Sequence, residues 1–175
     1  MAMRETTWKI QSLATTDLGV WKHWRSGLGG KRVVATNGCF DLLHVGHVKL
    51  LEFARSRGDL LIVGLNSDSS VRQLKGEGHP INTAMDRAVV LAALEAVDVV
   101  VIFDTVRATG FLELAKPHVW IKGGDYTMAT LDPNEVVAVK LCKGQIELFP
   151  AVAGYSTTWL AQQAAQQVTR AYTPA

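Results

Sequence analysis

Hydrophobic residues in this chain occur in short runs that alternate with segments of helical periodicity. The apolar runs predict buried strands at residues 33–35, 60–63, 97–103, 118–121 and 146–149. Helices are predicted at 48–55, 86–96, 107–115 and 157–170. Strands without in–out alternation, separated by helices, are typical of a parallel sheet covered on both faces. We therefore expect an α/β fold with a doubly wound parallel sheet.

The first 30 residues differ from the rest in their pattern. Asp17 is placed to cap a short helix that ends in a glycine-rich stretch. Three of the five tryptophans lie in this segment: Trp8, Trp21 and Trp24. We predict an N-terminal arm at residues 1–30 and a single main domain at 31–175. Packing of the arm on the main domain is the simpler interpretation, and a contact between subunits is the alternative.

Composition excludes several classes of protein. Hydrophobic residues make up 48% of the 175 residues and charged residues 19%, which is enough apolar material for a core. The net charge of +2 is too small to indicate a nucleic-acid or membrane-binding surface. The start of the chain lacks an apolar signal run, and the two cysteines lack metal or redox spacing. We expect a cytoplasmic protein without nucleic-acid or membrane partners.

The segment at residues 36–47 carries the clearest chemical pattern. It follows the first strand of the main domain and opens its first long helix, and ligands of parallel sheets bind at such strand ends. His44 and His47 share one face at the positive end of this helix, and Gly46 leaves that face open, so a phosphate fits there. A metal site needs a third ligand that no obvious spacing supplies, and packing is the other alternative.

Other polar residues follow predicted strands or interrupt apolar helices. Asn66 and Asp68 follow a strand, with helix capping as the competing role for Asp68. Arg72 and Lys75 could close over phosphates or form a solvated face. Arg87 lies in an apolar helix and should therefore reach a carboxylate or a phosphate. The later candidates are Lys122, Gly123, Gly124 and Asp125, alternatively a glycine-rich turn, and Ser156, Thr157 and Thr158, which can cap the last helix.

The sequence TNGCFDLLHVGH at residues 36–47 resembles the HxGH signature of the nucleotidyltransferase superfamily. LNSDSSVRQLKG at 65–76, DR at 86–87, IKGGDY at 121–126 and STT at 156–158 are similar to D-glycero-β-D-manno-heptose 1-phosphate adenylyltransferases, the ADP-heptose synthases. That family occurs as half of a bifunctional protein with a sugar kinase or as a free-standing chain. The resemblance runs from about residue 31 to 160 and implies a Rossmann-like fold in the free-standing form.

The resemblance implies transfer of AMP from ATP to heptose 1-phosphate, with release of pyrophosphate, in lipopolysaccharide core synthesis. It implies a Mg²⁺ held by substrate and water rather than by a protein cage, and a homodimer. Its catalytic residues would be His44, His47, Lys75 and Arg87. Its nucleotide-binding residues would be Thr36, Asn37, Gly38, Cys39, Phe40, Gly46, Lys122, Gly124, Ser156, Thr157 and Thr158. Its residues near the sugar phosphate or metal would be Asp41, Asn66, Asp68, Arg72 and Asp125.

Several alternatives stay open at this point. Asp41 orients its loop or faces the metal, or is only a capping or turn carboxylate. The chain departs from the family because no basic residue lies between Lys143 and Arg170 and because Tyr155 stands before the STT triplet. A cytidylyltransferase for glycerol phosphate or another polyol phosphate shares the HxGH motif. A nucleotide-binding scaffold without catalytic activity is a third possibility.

Overall fold

The structure, a computed structural model, describes residues 9–13 and 17–172. Six parallel strands form one sheet in the order β1-β4-β3-β2-β5-β6. The strands are β1 (Ile10–Ser12), β2 (Val33–Gly38), β3 (Leu60–Asn66), β4 (Val99–Phe103), β5 (Val119–Gly124) and β6 (Gln145–Pro150). The predicted α/β fold with a parallel, Rossmann-like sheet is confirmed.

Seven described helices connect or flank the strands. They are α1 (Leu18–Ser26), α2 (Val45–Arg55), α3 (Asp68–Lys75), α4 (Ala84–Ala93), α5 (Thr109–Ala115), α6 (Pro133–Leu141) and α7 (Thr157–Tyr172). Buried residues of α2 and α4 pack on one face of the sheet, and those of α1, α5 and α6 pack on the other. Helix α6 was not predicted, although Asp132 caps it and Pro133 opens it. No helix in the described ranges is both long and apolar enough to cross a membrane.

The N-terminal arm contributes more structure than its pattern indicated. Ile10 pairs in register with Val100, so β1 is an edge strand of the main sheet, and this strand was not predicted. The Asp17 cap of α1 is confirmed, because its carboxylate accepts from two backbone N–H groups. Trp21 is 5% exposed and donates its indole N–H to the Leu114 carbonyl at 2.9 Å. The arm therefore packs on α5, while Trp8 lies outside the described residues.

The strand order reverses at β2, which lies between β3 and β5. Thr36 is in register with Val63 on one side and with Ile121 on the other. The carboxyl ends of the three strands therefore meet at one edge of the sheet. Loops leaving this edge diverge to opposite faces, which opens a crevice for a ligand.

Gly64 shows how tightly the core is packed, because the ring of Phe111 occupies the place of a side chain. The hydrophobic pattern ended the second strand here, but β3 continues to Asn66. A Cβ on Gly64 would lie 2.7 Å from the Phe111 ring. We expect Gly64→Ala to lower the free energy of unfolding by about 1–3 kcal/mol, measured by urea denaturation.

Gly110→Ala is the matched control for this prediction. Gly110 lies in α5, and a Cβ there meets only Leu13, at an ordinary 3.7 Å. Since alanine is the better helix former, this control should be neutral or slightly stabilising. Equal destabilisation by both substitutions would contradict the packing explanation.

Candidate active site

Two stacked histidines lie where β2 passes into α2. His44 is the N-terminal cap residue of α2 and His47 lies in its first turn. Their ring centroids are 3.8 Å apart with an interplanar angle of 26°. A Cβ on Gly46 would lie 3.0 Å from the His44 ring. The absence of a side chain at Gly46 therefore makes room for the imidazole of His44, and Gly46 itself still lines the cavity described below.

Burial favours the neutral form of both imidazoles. Burial first, and then the neighbouring His44 and Lys75, lower the pKa of His47 to about 4. Burial and Lys75 also lower the pKa of His44. The Nδ1 atoms of both rings are buried without a hydrogen-bond partner among the described residues. The pair therefore offers neutral hydrogen-bonding groups beside the amino end of α2, and the positive charge comes from Lys75.

The pKa of His47 has a direct consequence for stability. Because the folded protein holds this ring neutral down to about pH 4, while an unperturbed histidine titrates near 6.5, acid favours the unfolded chain. We expect the free energy of unfolding to fall as the pH decreases from 6.5 towards 4, with about 3 kcal/mol due to His47.

Urea denaturation of wild type and His47→Gln across this range measures the contribution of His47. Glutamine does not titrate, so the wild type should lose more stability than the variant on acidification. Parallel losses in the two proteins would show that the ring is not held neutral.

A cavity of about 340 Å³ opens beside the histidine pair. It brings together segments that are far apart in sequence, because α3, β5 and β6 end at it and α7 begins at it. Predicted residues that line it are His44, Gly46, His47, Lys75, Gly124, Asp125, Ser156, Thr157 and Thr158, together with Gly123. Ser156 also accepts from the backbone N–H of Trp159 at 3.0 Å, so its predicted capping role is confirmed. Leu50, Tyr155 and residues 149–152 complete the wall.

Arg87 is engaged by protein oxygens on every side. Its side chain is 1% exposed, and its guanidinium donates to the backbone carbonyls of Cys39, Asn66 and Asn82 at 2.6–2.9 Å. It also pairs with Asp68 at 2.8 Å, which confirms that it reaches a carboxylate. Arg87 therefore ties the loop after β2 to the end of β3 and to α4.

The carboxylate of Asp41 is also committed to protein contacts. It is 1% exposed and accepts from the backbone N–H groups of Ile81 and Asn82 and from the His79 ring. Burial alone would raise the pKa of Asp41, but these hydrogen bonds, with Lys75, hold it below its ordinary value. This geometry matches the alternative in which Asp41 orients its loop.

Three predicted residues around α3 occupy different environments. Asn66 is buried and donates to the Ser70 hydroxyl and the Thr105 carbonyl. Ser67, rather than Asp68, caps α3, so the capping alternative for Asp68 is wrong. Arg72 is exposed and does not line the cavity, whereas Lys75 on the next turn does.

The loop after β2 is shaped around Phe40. Phe40 has a left-handed backbone with φ of 44°, and a Cβ on Gly38 would lie 3.2 Å from its ring. Its ring lies 5.0 Å from that of His47.

Burial, the main cause, raises the pKa of the Cys39 thiol, so thiolate chemistry is disfavoured at this position. Thr36 is fully buried and its hydroxyl lacks a described partner.

Sequence reasoning missed two groups at this edge. Glu135, in α6, is 3% exposed and lies 3.5 Å from the ammonium of Lys122. Trp120 donates its indole N–H to the side-chain oxygen of Asn37 at 3.0 Å. The DPNE sequence at 132–135, a helix start with an acidic third residue, was the available signal for α6. Lys122 does not line the cavity beside the histidines.

The sequence of this chain is similar to those of known proteins over most of its length. Residues 35–168 match the sequence profile described as Cytidylyltransferase-like. The chain is 54% identical over 129 residues to the Bifunctional protein HldE of Aliarcobacter butzleri and to that of Geobacter sulfurreducens. Each match covers 74% of this chain and 26% of the relative, so the chain spans about a quarter of these relatives.

Two solved structures share the fold. The lipopolysaccharide core biosynthesis protein from Thermoplasma volcanium has a TM-score of 0.56 at 24% identity, covering 70% of this chain and 98% of that chain. The pantoate-beta-alanine ligase from Francisella tularensis has a TM-score of 0.56 at 15% identity, covering 92% and 78%. At such identities the likeness concerns the fold alone.

The parallel sheet, the histidine pair at its switch point and the matching profile define a nucleotidyltransferase. The chain belongs to the Cytidylyltransferase-like family. The predicted membership of the HxGH superfamily is thereby confirmed.

Proposed function

We propose that this protein transfers AMP from ATP to D-glycero-β-D-manno-heptose 1-phosphate, which gives ADP-heptose and pyrophosphate. The observation that carries the proposal is the stacked pair of His44 and His47 in a cavity that also contains Lys75. This cavity combines neutral hydrogen-bonding groups, a cation and the amino end of a helix, which are the groups that bind phosphates. In this proposal the product supplies lipopolysaccharide core synthesis.

The reaction needs positioning more than covalent chemistry. An oxygen of the acceptor phosphate forms a bond to the α-phosphorus of ATP, and the bond from that phosphorus to the bridging oxygen breaks. Pyrophosphate leaves with the electron pair, and no covalent enzyme intermediate forms. His44 and His47 donate hydrogen bonds to the charge that develops on the phosphate oxygens. Lys75 binds the β- and γ-phosphates as they leave.

Mg²⁺ fits this site as a companion of the triphosphate. No group of three or more His, Cys, Asp or Glu side chains within residues 9–13 and 17–172 is arranged to hold a metal. The carboxylates of Asp41 and Asp68 are engaged by other residues, whereas Asp125 is exposed on the cavity wall and is the carboxylate that would help to hold a phosphate-bound Mg²⁺. The ion would neutralise phosphate charge.

The choice of heptose and adenine rests on sequence motifs. One motif, IKGGDY at 121–126, begins on β5. The other, NSD with LKG at 66–76, runs from the end of β3 through α3. The ends of these elements border the site. The relatives named HldE are bifunctional, which agrees with a family that occurs as half of a bifunctional protein. Cytidylyl transfer to a polyol phosphate is the second candidate, favoured by the description of the matching family. A cytoplasmic homodimer is the setting we propose for either reaction.

Pyrophosphate release tests the proposal. The protein, with Mg²⁺, is given ATP or CTP, each with heptose 1-phosphate or glycerol 3-phosphate. We expect turnover only with ATP and the heptose. Turnover with CTP and glycerol 3-phosphate would overturn the heptose assignment while retaining nucleotidyl transfer. A folded protein that binds ATP but releases no pyrophosphate in any combination would support the scaffold alternative.

A further inference from the structure

A buried lysine and glutamate lie at the carboxyl end of β5, outside the cavity of the histidine pair. Lys122 is 8% exposed, and its Nζ lies 3.5 Å from Oε2 of Glu135. Side chains alternate along a strand, so Lys122 shares the sheet face of Trp120, on the side of α5 and α6. The histidines begin α2, which packs on the other face. The Lys122–Glu135 pair and the histidine pair therefore lie at the same edge of the sheet, on opposite faces.

Glu135 is fixed by both of its oxygens. Oε1 accepts from the backbone N–H of Ala108 at 2.7 Å, just before α5, and Oε2 faces Lys122. The ammonium also lies 5.2 Å from the Trp120 ring centroid and 4.8 Å from that of Tyr126. The Glu135 oxygen is the hydrogen-bonding partner of this ammonium, whereas the two ring faces attract its charge without each taking up an N–H group, so donor capacity is left among its three N–H groups. This lysine is held in place while it remains able to bind an anion.

A second donor lies on the same face, at the end of β2. The side-chain oxygen of Asn37 accepts from Trp120, so the amide NH₂ of Asn37 is oriented away from the indole. That NH₂ group has no hydrogen-bond partner among the described residues. Asn37 leads directly into the loop that carries the histidines. An anion between Asn37 and Lys122 would therefore lie beside the histidine cavity, across the sheet edge.

In-line displacement explains why binding groups on both faces of the sheet edge would serve the reaction. The attacking oxygen and the leaving pyrophosphate must lie on opposite sides of the α-phosphorus. If Lys75 and the histidine cavity take the triphosphate, the acceptor phosphate has to approach from across the edge. Lys122 is the buried cation on that side, and its tether to Glu135 fixes its position.

We propose that Glu135 is a positioning residue, which holds Lys122 where it binds the phosphate group of the acceptor. The inference rests on the proposed function and deepens it, because it assigns Lys122 to the acceptor rather than to the nucleotide. Any sugar or polyol phosphate that supports turnover would use this contact.

The charged and titratable groups around Lys122 predict a pH effect. They are Glu135 from α6, Arg107 from the loop before α5, Cys39 after β2 and Tyr126 after β5. Burial, the main cause, lowers the pKa of Lys122, whereas Glu135 raises it and Arg107 lowers it. Glu135→Gln removes the raising charge, so Lys122 should lose its proton at a lower pH.

Steady-state kinetics of Glu135→Gln provide the first test. Glutamine can still accept from Ala108, so we expect a folded protein. The KM for the acceptor should rise about tenfold, since a charge-assisted contact is weakened, while the KM for ATP stays near wild type. The alkaline limb of kcat/KM for the acceptor should move to lower pH, and Glu135→Asp should partly restore both values. Glu113→Gln, an exposed change on α5, is the matched control and should leave all of these unchanged.

NMR of the wild-type lysine ammonium and Cε resonances provides a test that needs neither turnover nor a folded Glu135→Gln variant. The Lys122 signal is assigned with Lys122→Arg and followed during addition of the acceptor alone and of ATP alone. The proposal expects the sugar phosphate, and not ATP, to shift this signal. Absence of turnover with every acceptor, together with such a shift, would overturn the proposed function but support the acceptor contact. A Lys122 signal moved only by ATP, or a Glu135→Gln variant that merely loses thermal stability, would overturn the inference.

Discussion

His47→Ala should lower kcat by about 100- to 1,000-fold while the affinity for ATP stays close to that of the wild type. The His47 ring is stacked on His44 and lines the cavity, so it is placed to donate to charge that develops during transfer. In the proposed function, ground-state binding of ATP would depend on the whole cavity, from Lys75 to the amino end of α7. Pyrophosphate release and isothermal titration with ATP measure the two quantities separately.

His23→Ala is the matched control for this prediction. His23 is exposed on α1 and does not line the cavity, so its removal should change neither kcat nor ATP affinity. If His47→Ala weakened ATP binding as much as it slowed turnover, His47 would act in uniform binding rather than in the transition state.

Arg87→Ala should lower the free energy of unfolding by roughly 3–5 kcal/mol, because it removes a buried guanidinium, breaks its ion pair with Asp68 and leaves three backbone carbonyls without their donor. Three backbone carbonyls and the Asp68 carboxylate receive hydrogen bonds from this one guanidinium. Without it, the loop after β2 loses its tie to the end of β3, so turnover should fall as well. Urea denaturation and the pyrophosphate assay measure the two effects.

Arg72→Ala provides the comparison for stability. Arg72 is exposed on α3, and its removal should change the free energy of unfolding by no more than about 0.5 kcal/mol. Arg87→Ala with unchanged stability but lost turnover would contradict the structural role and indicate that the guanidinium acts on the substrate.

Hydrophobic periodicity predicted the central sheet because its strands are buried on both faces. The runs at β2 to β5 consist of consecutive apolar residues, and tertiary context did not override them, whereas β6 is partly buried and includes Glu147. Strand β1 has only three half-buried residues and became recognisable only through its pairing with β4. Helix α6 lies in a mixed stretch whose apolar residues do not form one clear face, so its cap was the only local signal.

The candidate site was predictable to the extent that its residues are close together in sequence. His44 and His47 share a face because a spacing of three brings side chains together on a helix, and the stacked rings confirm this. The contacts of Asp41 with residues 79–82 and of Lys122 with Glu135 were not predictable, since each joins two separate segments that only the fold brings together.

The sequence by itself determined the α/β fold and the position of the histidine motif at a strand end, because both follow from local periodicity and chain direction. Only the tertiary structure decided which polar groups are free to meet a substrate. The side chains of Arg87 and Asp41 are bonded to other groups of this chain, whereas Lys75 lines the cavity. The physical reason is that a buried charge must be paired, and its partner is supplied by whichever segment the fold brings next to it.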